Sequence, residues 1–326
     1  MSTSVISSCS LKPEEHLVLV AGSLNVDFSV RVPHLPLLGE TVLGSGYDLS
    51  PGGKGANQAV ACARAGATVR MLGAVGRDAH GDLLKTSLRQ NGVDLNWLQT
   101  VEASTGVAFV SVTGDGENAI IVSEGANATL RPEHLPSLRG VSHLVMPLEI
   151  PLDTVRAFAQ AAHAAGVSVV LNASPAQPLD DHLLECIDLL IVNAGELSVL
   201  NEAGAAVGGS SEETVAQARH LQSRGPKTVI VTLGGSGCLA VTPSGEELRL
   251  PAFEVEVRDT TGAGDTFTGV LVAHLARRKT LREALRVAGA AAALACTRAG
   301  AQTSMPDDAE VQRFLQGVLP ECRANK

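Results

Sequence analysis

Three features meet in the segment Asp259-Thr-Thr-Gly-Ala-Gly-Asp265. A glycine-rich turn exposes backbone N–H groups. A long apolar helix is expected to begin there, over 263–278, which places those groups at its positive end. An acidic residue, Asp265, occupies the first turn. Together they suit phosphoryl transfer: the donors neutralise charge on the moving group, and the carboxylate takes a hydroxyl proton. An Asp in a first helical turn is also what the helix dipole favours without any chemistry. Asp259 and the partner motifs weigh against that plainer reading.

Gly52-Gly-Lys-Gly-Ala-Asn-Gln58 opens another helix, so its backbone can approach a polar ligand and Asn57 can bond hydroxyls. It is not a Walker A loop, because Asp48 stands where Gly is required and Gly55 where Ser or Thr is. A flexible helix start fits the same residues. Gly22-Ser-Leu-Asn-Val-Asp27 follows the first strand, which puts Asn25 and Asp27 at the carboxyl end of a sheet, where open α/β folds bind ligands. Amide and carboxylate groups suit a polyhydroxy substrate, although an Asx-rich turn uses the same residues. In Asn193-Ala-Gly-Glu196 the bland reading is a capping box, and the functional one puts Glu196 near Mg²⁺ or its water. Gly235-Ser-Gly-Cys-Leu-Ala240 fits the letters of a dinucleotide fingerprint but not its context. Residues 238–250 read as two short strands around Pro-Ser-Gly rather than as a helix, so NAD binding is rejected. The glycines of 232–237 are then a turn that a nucleotide can approach.

The elements that must position these residues alternate. Strands are expected at 17–22, 69–75, 142–146, 167–171, 188–192 and 227–232. Helices are expected near 53–67, 79–91, 152–165, 180–186, 195–203, 212–224, 263–278, 281–297 and 307–317. This rhythm predicts an α/β fold with one doubly wound, mostly parallel sheet and helices on both faces. Two regions break it: 27–50 and 104–125 alternate apolar and polar residues around glycine turns, including Thr113-Gly-Asp-Gly116, and read as hairpins. One domain spanning 1–326, with those hairpins as a small β lid, is the expected organisation.

Hydrophobic residues are 45% of the 326, enough for a large core. Aromatics are only 2%, so base-stacking platforms for nucleic acid are disfavoured. A net charge of −9 attracts neither nucleic acid nor anionic membranes. Any phosphate must be held by a local device. The six cysteines form no C-x-x-C pair and read as free thiols in a reducing compartment. No apolar signal core lies in 1–15 and no stretch approaches a membrane span, so a cytoplasmic location is the expectation.

Taken jointly, the motifs resemble the ribokinase-like carbohydrate kinases over residues 17–305. The resemblance rests on Gly22-Ser-x-Asn-x-Asp27, Gly52–Ala59, Ser104-Thr-Gly-Val-Ala108, Gly116-Glu-Asn118, Gly125-Ala-Asn127, Leu148-Glu149, Asn193-x-x-Glu196, Asp259–Asp265 and Thr297-Arg-x-Gly-Ala-Gln-x-Ser304. Each motif alone is weak to moderate, whereas their order and spacing are specific. The resemblance implies a three-layer α/β/α sandwich and phosphorylation of a small sugar by ATP, D-ribose at O5 in the first instance, with deoxyribose, fructose or adenosine as alternatives. Scarce lid aromatics (Phe28, Tyr47, Phe109) speak against a nucleoside. Asp265 would be the base, and Gly262, Ala263 and Gly264 the anion hole. Ser23, Leu24, Asn25, Asp27, Gly52, Gly53, Lys54, Gly55, Asn57 and Glu149 would hold the sugar.

ATP would lie on Asn193, Glu196, Thr232, Leu233, Gly234, Gly235, Ser236, Gly237, Gly264, Asp265 and Gly289, the last where the family usually carries Asn or His. Mg²⁺ would accompany it. K⁺ would bind at Asp259, Thr261, Ala295, Arg298, Gly300 and Ser304, several through backbone carbonyls. The family also implies a homodimer joined through the lids. A non-catalytic sugar- or nucleotide-binding regulator on the same fold is the reading from another class. It would need a degraded Asp265 or Gly-Ala-Gly turn, and both are intact.

Overall fold

The structure, a computed structural model, describes residues 16–114, 118–201 and 210–317. The polar N-terminal stretch, Cys9, most of the Gly116-Glu-Asn118 motif, the 115–116 half of the expected turn, the last two residues of the helix expected at 195–203, and Cys322 lie outside the described residues.

The strands are β1 (Leu17–Ala21), β2 (Asn25–Arg31), β3 (Ser45–Gly52), β4 (Val69–Gly76), β5 (Asp94–Val101), β6 (Gly106–Val112), β7 (Asn118–Ser123), β8 (Val141–Pro147), β9 (Ser168–Asn172), β10 (Leu189–Asn193), β11 (Thr228–Thr232), β12 (Cys238–Val241) and β13 (Glu247–Leu250). The α-helices are α1 (Lys54–Arg64), α2 (Ala79–Gln90), α3 (Leu152–Ala164), α4 (Asp181–Leu184), α5 (Ala194–Leu200), α6 (Ser211–Ser223), α7 (Ala263–Ala276), α8 (Leu281–Cys296) and α9 (Asp308–Leu315).

Among the described residues, nine strands form one sheet in the order β13-β12-β11-β10-β9-β8-β1-β4-β5. From β11 to β5 every pairing is parallel, and β12 and β13 add an antiparallel edge. The strands are short and almost wholly apolar because both faces are covered. On β1, Val18 and Val20 join the core beneath α1, α2, α7 and α8, while Leu17, Leu19 and Ala21 join the core beneath α3 to α6. The period-2 alternation of side chains thus feeds two cores at once, which makes three layers.

The chain leaves β1 toward β4 and β5 on one side and later runs from β8 outward on the other. The strand order therefore reverses between β1 and β8, and a crevice opens there at the carboxyl ends of the strands.

The smaller sheet has the order β3-β2-β6-β7. It contains the two expected hairpins, β2–β3 and β6–β7, joined by a parallel β2–β6 pairing that puts Asn25 opposite Gly106. Its β2 begins at Asn25 and its β3 ends at Gly52, so this sheet grows directly out of the crevice. One element was not anticipated. β5 carries Asp94, Asn96 and Gln99 and lacks apolar alternation; it pairs with β4 as an edge strand, with the Arg70 guanidinium 4.2 Å over the Trp97 ring. No helix among the described residues is long and apolar enough to cross a membrane.

Candidate active site

The β1–β8 crevice is closed by a small set of hydrogen bonds. Ser23 follows β1 and donates from its hydroxyl to Glu149 Oε2, 2.5 Å away, just past β8. The Lys54 backbone N–H, at the start of α1, donates to the same oxygen at 3.1 Å. Glu149 is thereby pinned through one oxygen, and its other remains available. Gly53 caps α1 at φ 87°, and a Cβ there would lie 2.6 Å from the Asn25 nitrogen. A side chain is excluded twice over, by dihedral and by space. Asn127, to which no role had been assigned, ties the crevice wall together. It accepts from the Leu24 N–H at 2.9 Å and donates to Leu24 O and Asn25 Oδ1.

Asp265 stands across this crevice in the first turn of α7 and is buried. Gly262 caps the helix at φ 74°, a left-handed conformation that favours glycine. Asn57 Nδ2 donates to Asp265 Oδ2 at 2.9 Å, and Gln58 Nε2 to Oδ1 at 3.0 Å. Burial pushes the Asp265 carboxyl above its usual range, while the Lys54 charge and the two amide donors pull against that rise. Asp27, on the small sheet, is pushed up to about 7 by burial and by the neighbouring Glu149 and Asp265, with Lys54 opposing. Three carboxylates and one ammonium thus share the site, and burial raises both Asp27 and Asp265.

Of the three expected anion-hole residues, Ala263 has its N–H directed to Thr260 O at 3.2 Å. The N–H groups of Gly264 and Asp265 lie in the first turn, where a helix offers no acceptor of its own. A Cβ added at Gly264 would meet nothing within 4 Å, so open space adjoins that backbone.

At the carboxyl end of β10, Asn193 and Glu196 form a reciprocal cap: Asn193 Oδ1 accepts from the Glu196 N–H, and Glu196 Oε2 from the Asn193 N–H, both at 2.8 Å. Among the described residues the Asn193 amide nitrogen has no hydrogen-bond partner, so it can meet a ligand. The 232–237 turn is closed by Leu233 N–H to Gly237 O at 2.8 Å. Asn193, Thr232, Leu233, Gly234 and Ser236 line a cavity of about 730 Å³. The same cavity takes in Ser198, Thr214, Gln217 and Arg249, polar residues that carried no motif in the sequence. Glu196, Gly289 and α7 are not part of its lining. Gly289 sits on α8 facing the Phe253 ring.

Asp259 joins two loops. Its Oδ1 accepts from the Thr261 N–H at 2.9 Å and its Oδ2 from the Gly300 N–H at 2.8 Å. Partial burial acts to raise its pKa, but these donors outweigh it and hold the carboxyl below the usual range. Ser304 Oγ donates to Ala301 O. The Arg298 guanidinium turns away to Glu310 at 2.8 Å, and Ala295 O accepts from the Arg298 N–H. No cluster of three or more His, Cys, Asp or Glu side chains suited to a metal occurs among the described residues.

A buried carboxylate at a helix start, facing a polar crevice at the sheet's switch point, defines a phosphotransferase-type site. The pattern of the pfkB family of carbohydrate kinases matches residues 15–308, and the chain belongs to that family. Its relatives include a ribokinase of Haemophilus influenzae, 39% identical over 91% of this chain and 97% of its own length. A ribokinase of Bacillus subtilis is 36% identical over 91% and 99%. The solved structure of Arabidopsis thaliana ribokinase with ribose and ATP matches at a TM-score of 0.83 and 33% identity, covering 92% of this chain and 99% of that one.

Proposed function

We propose that this chain is a ribokinase, transferring the γ-phosphoryl group of ATP to O5 of D-ribose to give D-ribose 5-phosphate and ADP. The observation that carries the reading is the buried Asp265 carboxylate, held by two amide donors at the start of α7 and facing the Ser23–Glu149 crevice. Asp265 accepts the O5 proton as the new O–P bond forms and the β–γ bridge bond breaks. The N–H groups of Gly262, Gly264 and Asp265 meet the charge that develops on the moving group, the Ala263 N–H being directed to Thr260 O. Asn25, Asp27, Asn57 and Glu149 hold the sugar hydroxyls, with Ser23, Leu24 and the 52–55 backbone shaping the pocket. The strongest chemical support is the supply of acceptors: a polyol needs many, and this crevice gathers three carboxylates and two amides.

ATP lies along Asn193 and the 232–237 turn toward α7, with Gly289 leaving room beside the base. Mg²⁺ would accompany the phosphates and supply neutralising charge. Glu196 suits its water shell, since one carboxylate oxygen is used in the cap and one is open. The set Asp259, Thr261, Ala295, Arg298, Gly300 and Ser304 offers only oxygen donors, which suits a hard cation such as K⁺. Arg298 can contribute only its carbonyl, because its side chain is cationic and paired with Glu310. Such a cation would fix the 259–261 loop and so the donors beside it.

The chain acts as one domain, with the small sheet as a lid over the sugar. Across one face of that sheet Leu49, Phe28, Phe109 and Ile121 stand in register, and Leu49, Phe109 and Ile121 are exposed. Pairing of two such sheets in a homodimer would cover them. The free cysteines Cys62, Cys186, Cys238 and Cys296 suit a cytoplasmic location.

The test is ADP release across a panel of ribose, deoxyribose, fructose and adenosine, with K⁺ exchanged for Na⁺. Ribose is expected to give the highest kcat/KM. No ribose-dependent ADP release would sink the reading. A monomeric mass by light scattering at micromolar concentration would sink the dimer.

A further inference from the structure

Asp265 is held by amides that are themselves held, and the order of donors and acceptors along those chains is not arbitrary. An amide side chain has a donor end and an acceptor end. If Gln58 were turned over, its carbonyl oxygen would face the Asp265 carboxylate and repel it. Something must therefore fix the Gln58 amide with its nitrogen toward Asp265. That group is Asn172, at the end of β9. Gln58 Nε2 donates one hydrogen to Asp265 Oδ1 and the other to Asn172 Oδ1, 3.1 Å away. Asn172 in turn directs its own nitrogen to the backbone carbonyl of Ile191, at 3.4 Å. A carbonyl can only accept, so Ile191 O sets Asn172, Asn172 sets Gln58, and Gln58 presents a donor to Asp265. Gln58 is wholly buried and among the described residues its Oε1 has no partner, an arrangement that a role in packing alone does not explain.

A second chain reaches the other carboxylate oxygen. Ser87 Oγ bonds Gln302 Oε1 at 2.9 Å, and Gln302 Nε2 donates to Asn57 Oδ1 at 3.1 Å. Asn57 Nδ2 then donates to Asp265 Oδ2. Gln302 is itself fixed from behind, because the Arg64 guanidinium donates to its backbone carbonyl at 2.8 Å. The two chains come from opposite sides of α1: one from β9 and β10 in the sheet, the other from α2 and the loop that follows α8.

We infer that Asn172 and Gln302 are positioning residues for the phosphoryl-transfer base, each orienting one amide, Gln58 or Asn57, so that Asp265 receives an N–H donor on both oxygens. This inference rests on Asp265 being the base. The donors serve two ends. They aim the carboxylate, and they favour its charged form against the burial that raises it. The charged groups that face Asp265 are Lys54 on α1, Glu149 after β8 and Asp27 on β2, and none of them is altered by changing Asn172 or Gln302.

The two chains differ in one useful respect. Asn57 belongs to the proposed sugar-holding set and Gln58 does not. Asn172→Leu, which removes the Gln58 acceptor with little change of volume, is expected to lower kcat about tenfold and to leave the sugar KM unchanged. The acidic limb of its kcat/KM profile should move to higher pH, because a donor to the charged form has been loosened. Gln302→Met is expected to lower kcat similarly and also to raise the sugar KM, because Asn57 serves both ends. Gln58→Met should be at least as harmful as Asn172→Leu. Adding Asn172→Leu to Gln58→Met should then cost almost nothing further, since the link it orients is already gone. Thermal melts identify variants that fold, and Asn172→Ala carries the same test should the Leu variant not fold.

A folded Asn172 variant with wild-type kcat and an unmoved acidic limb would overturn the inference, as would full additivity of the pair. Substantial activity in Asp265→Asn would instead overturn the base assignment, which keeps the two failures distinguishable.

Discussion

Two aspartates bracket one short segment, and the protein treats them in opposite ways. Asp259 sits in a loop with both oxygens bonded to backbone N–H groups, and its carboxyl is held below the usual range. Asp265, six positions on, is buried at the start of α7, receives side-chain amides only, and is pushed upward. A carboxylate tied to backbone donors is a structural anion that stays charged and holds loops together. A carboxylate raised by burial, and held by groups that can be tuned, is poised to gain a proton. Environments that push titratable groups apart assign their roles. The contrast supports Asp265 as the group that gains the proton and Asp259 as a strut.

The largest expected effect breaks this contrast at its catalytic end. Asp265→Asn keeps the shape and loses the acceptor for the O5 proton, so kcat should fall by about 10³-fold. An Asn can still bond the neighbouring amides by one end, so folding should survive. Steady-state kinetics beside a thermal melt checks both. An activity loss matched by unfolding would remove the distinction between base and strut.

Next in size is the structural end. Asp259→Ala removes the acceptor for the Thr261 and Gly300 N–H groups and unlinks the 259–261 loop from the 300 loop. A loss of about 1–3 kcal/mol is expected for donors left partly unsatisfied, together with a weaker dependence of activity on K⁺. The wild-type link is also sensitive to pH. The folded carboxyl lies below its unfolded value, so its contribution is present above the ordinary Asp range and is lost as pH falls through the folded pKa. The variant should therefore differ from wild type in denaturant unfolding at pH 7 and converge with it in acid. An equal gap at both pH values would show that the strut is not electrostatic.

Much of this was legible in the sequence. β10 was expected at 188–192 and forms at Leu189–Asn193, and α7 and α8 start where the apolar runs begin. Long apolar runs ending in Gly or Asn announce buried parallel strands, so the large sheet could be read. β5 could not, because an edge strand faces solvent and need not alternate cleanly. The motif residues Asp265, Asn57 and Glu149 do converge on one crevice. The amides behind them were given no role, although Gln58 and Gln302 stand inside the quoted motifs. Gln58 bonds residues 114 and 207 positions away, and Gln302 reaches Asn57 across 245. Their partners lie too far along the chain for spacing to reveal, and only the fold shows them buried together. Of the expected nucleotide set, Asn193, Thr232, Leu233, Gly234 and Ser236 line the cavity, whereas Glu196, Gly235, Gly237, Gly264, Asp265 and Gly289 lie off its lining, because a short motif does not fix which of its residues face a ligand.

The smallest effect sharpens the contrast by adding a third aspartate. Asp27 is raised to about 7 by burial and by two neighbouring carboxylates, yet among the described residues its own carboxylate has no hydrogen-bond donor. It resembles Asp265 in burial but lacks the amide donors that there pull against the effect of burial. In the empty enzyme it is a carboxyl waiting for donors, and sugar hydroxyls would supply them. A raised folded pKa means that stability is lost as pH rises from the unfolded value through the folded one, since charge is then forced into a buried, already anionic site. Asp27→Asn removes that burden. The sugar-free variant should melt about 2 °C or more above wild type at pH 8, by less at pH 5 and not at all below the ordinary Asp range, while its sugar KM rises at pH 5 and at pH 8. In the wild type the sugar KM should fall as pH passes upward through 7, because the ionised form accepts two hydroxyl hydrogen bonds where the neutral form accepts fewer. A pH-independent KM, or an Asp27→Asn melt below wild type at pH 8, would mean that Asp27 is already satisfied without sugar. It would then belong with Asp259 rather than with Asp265.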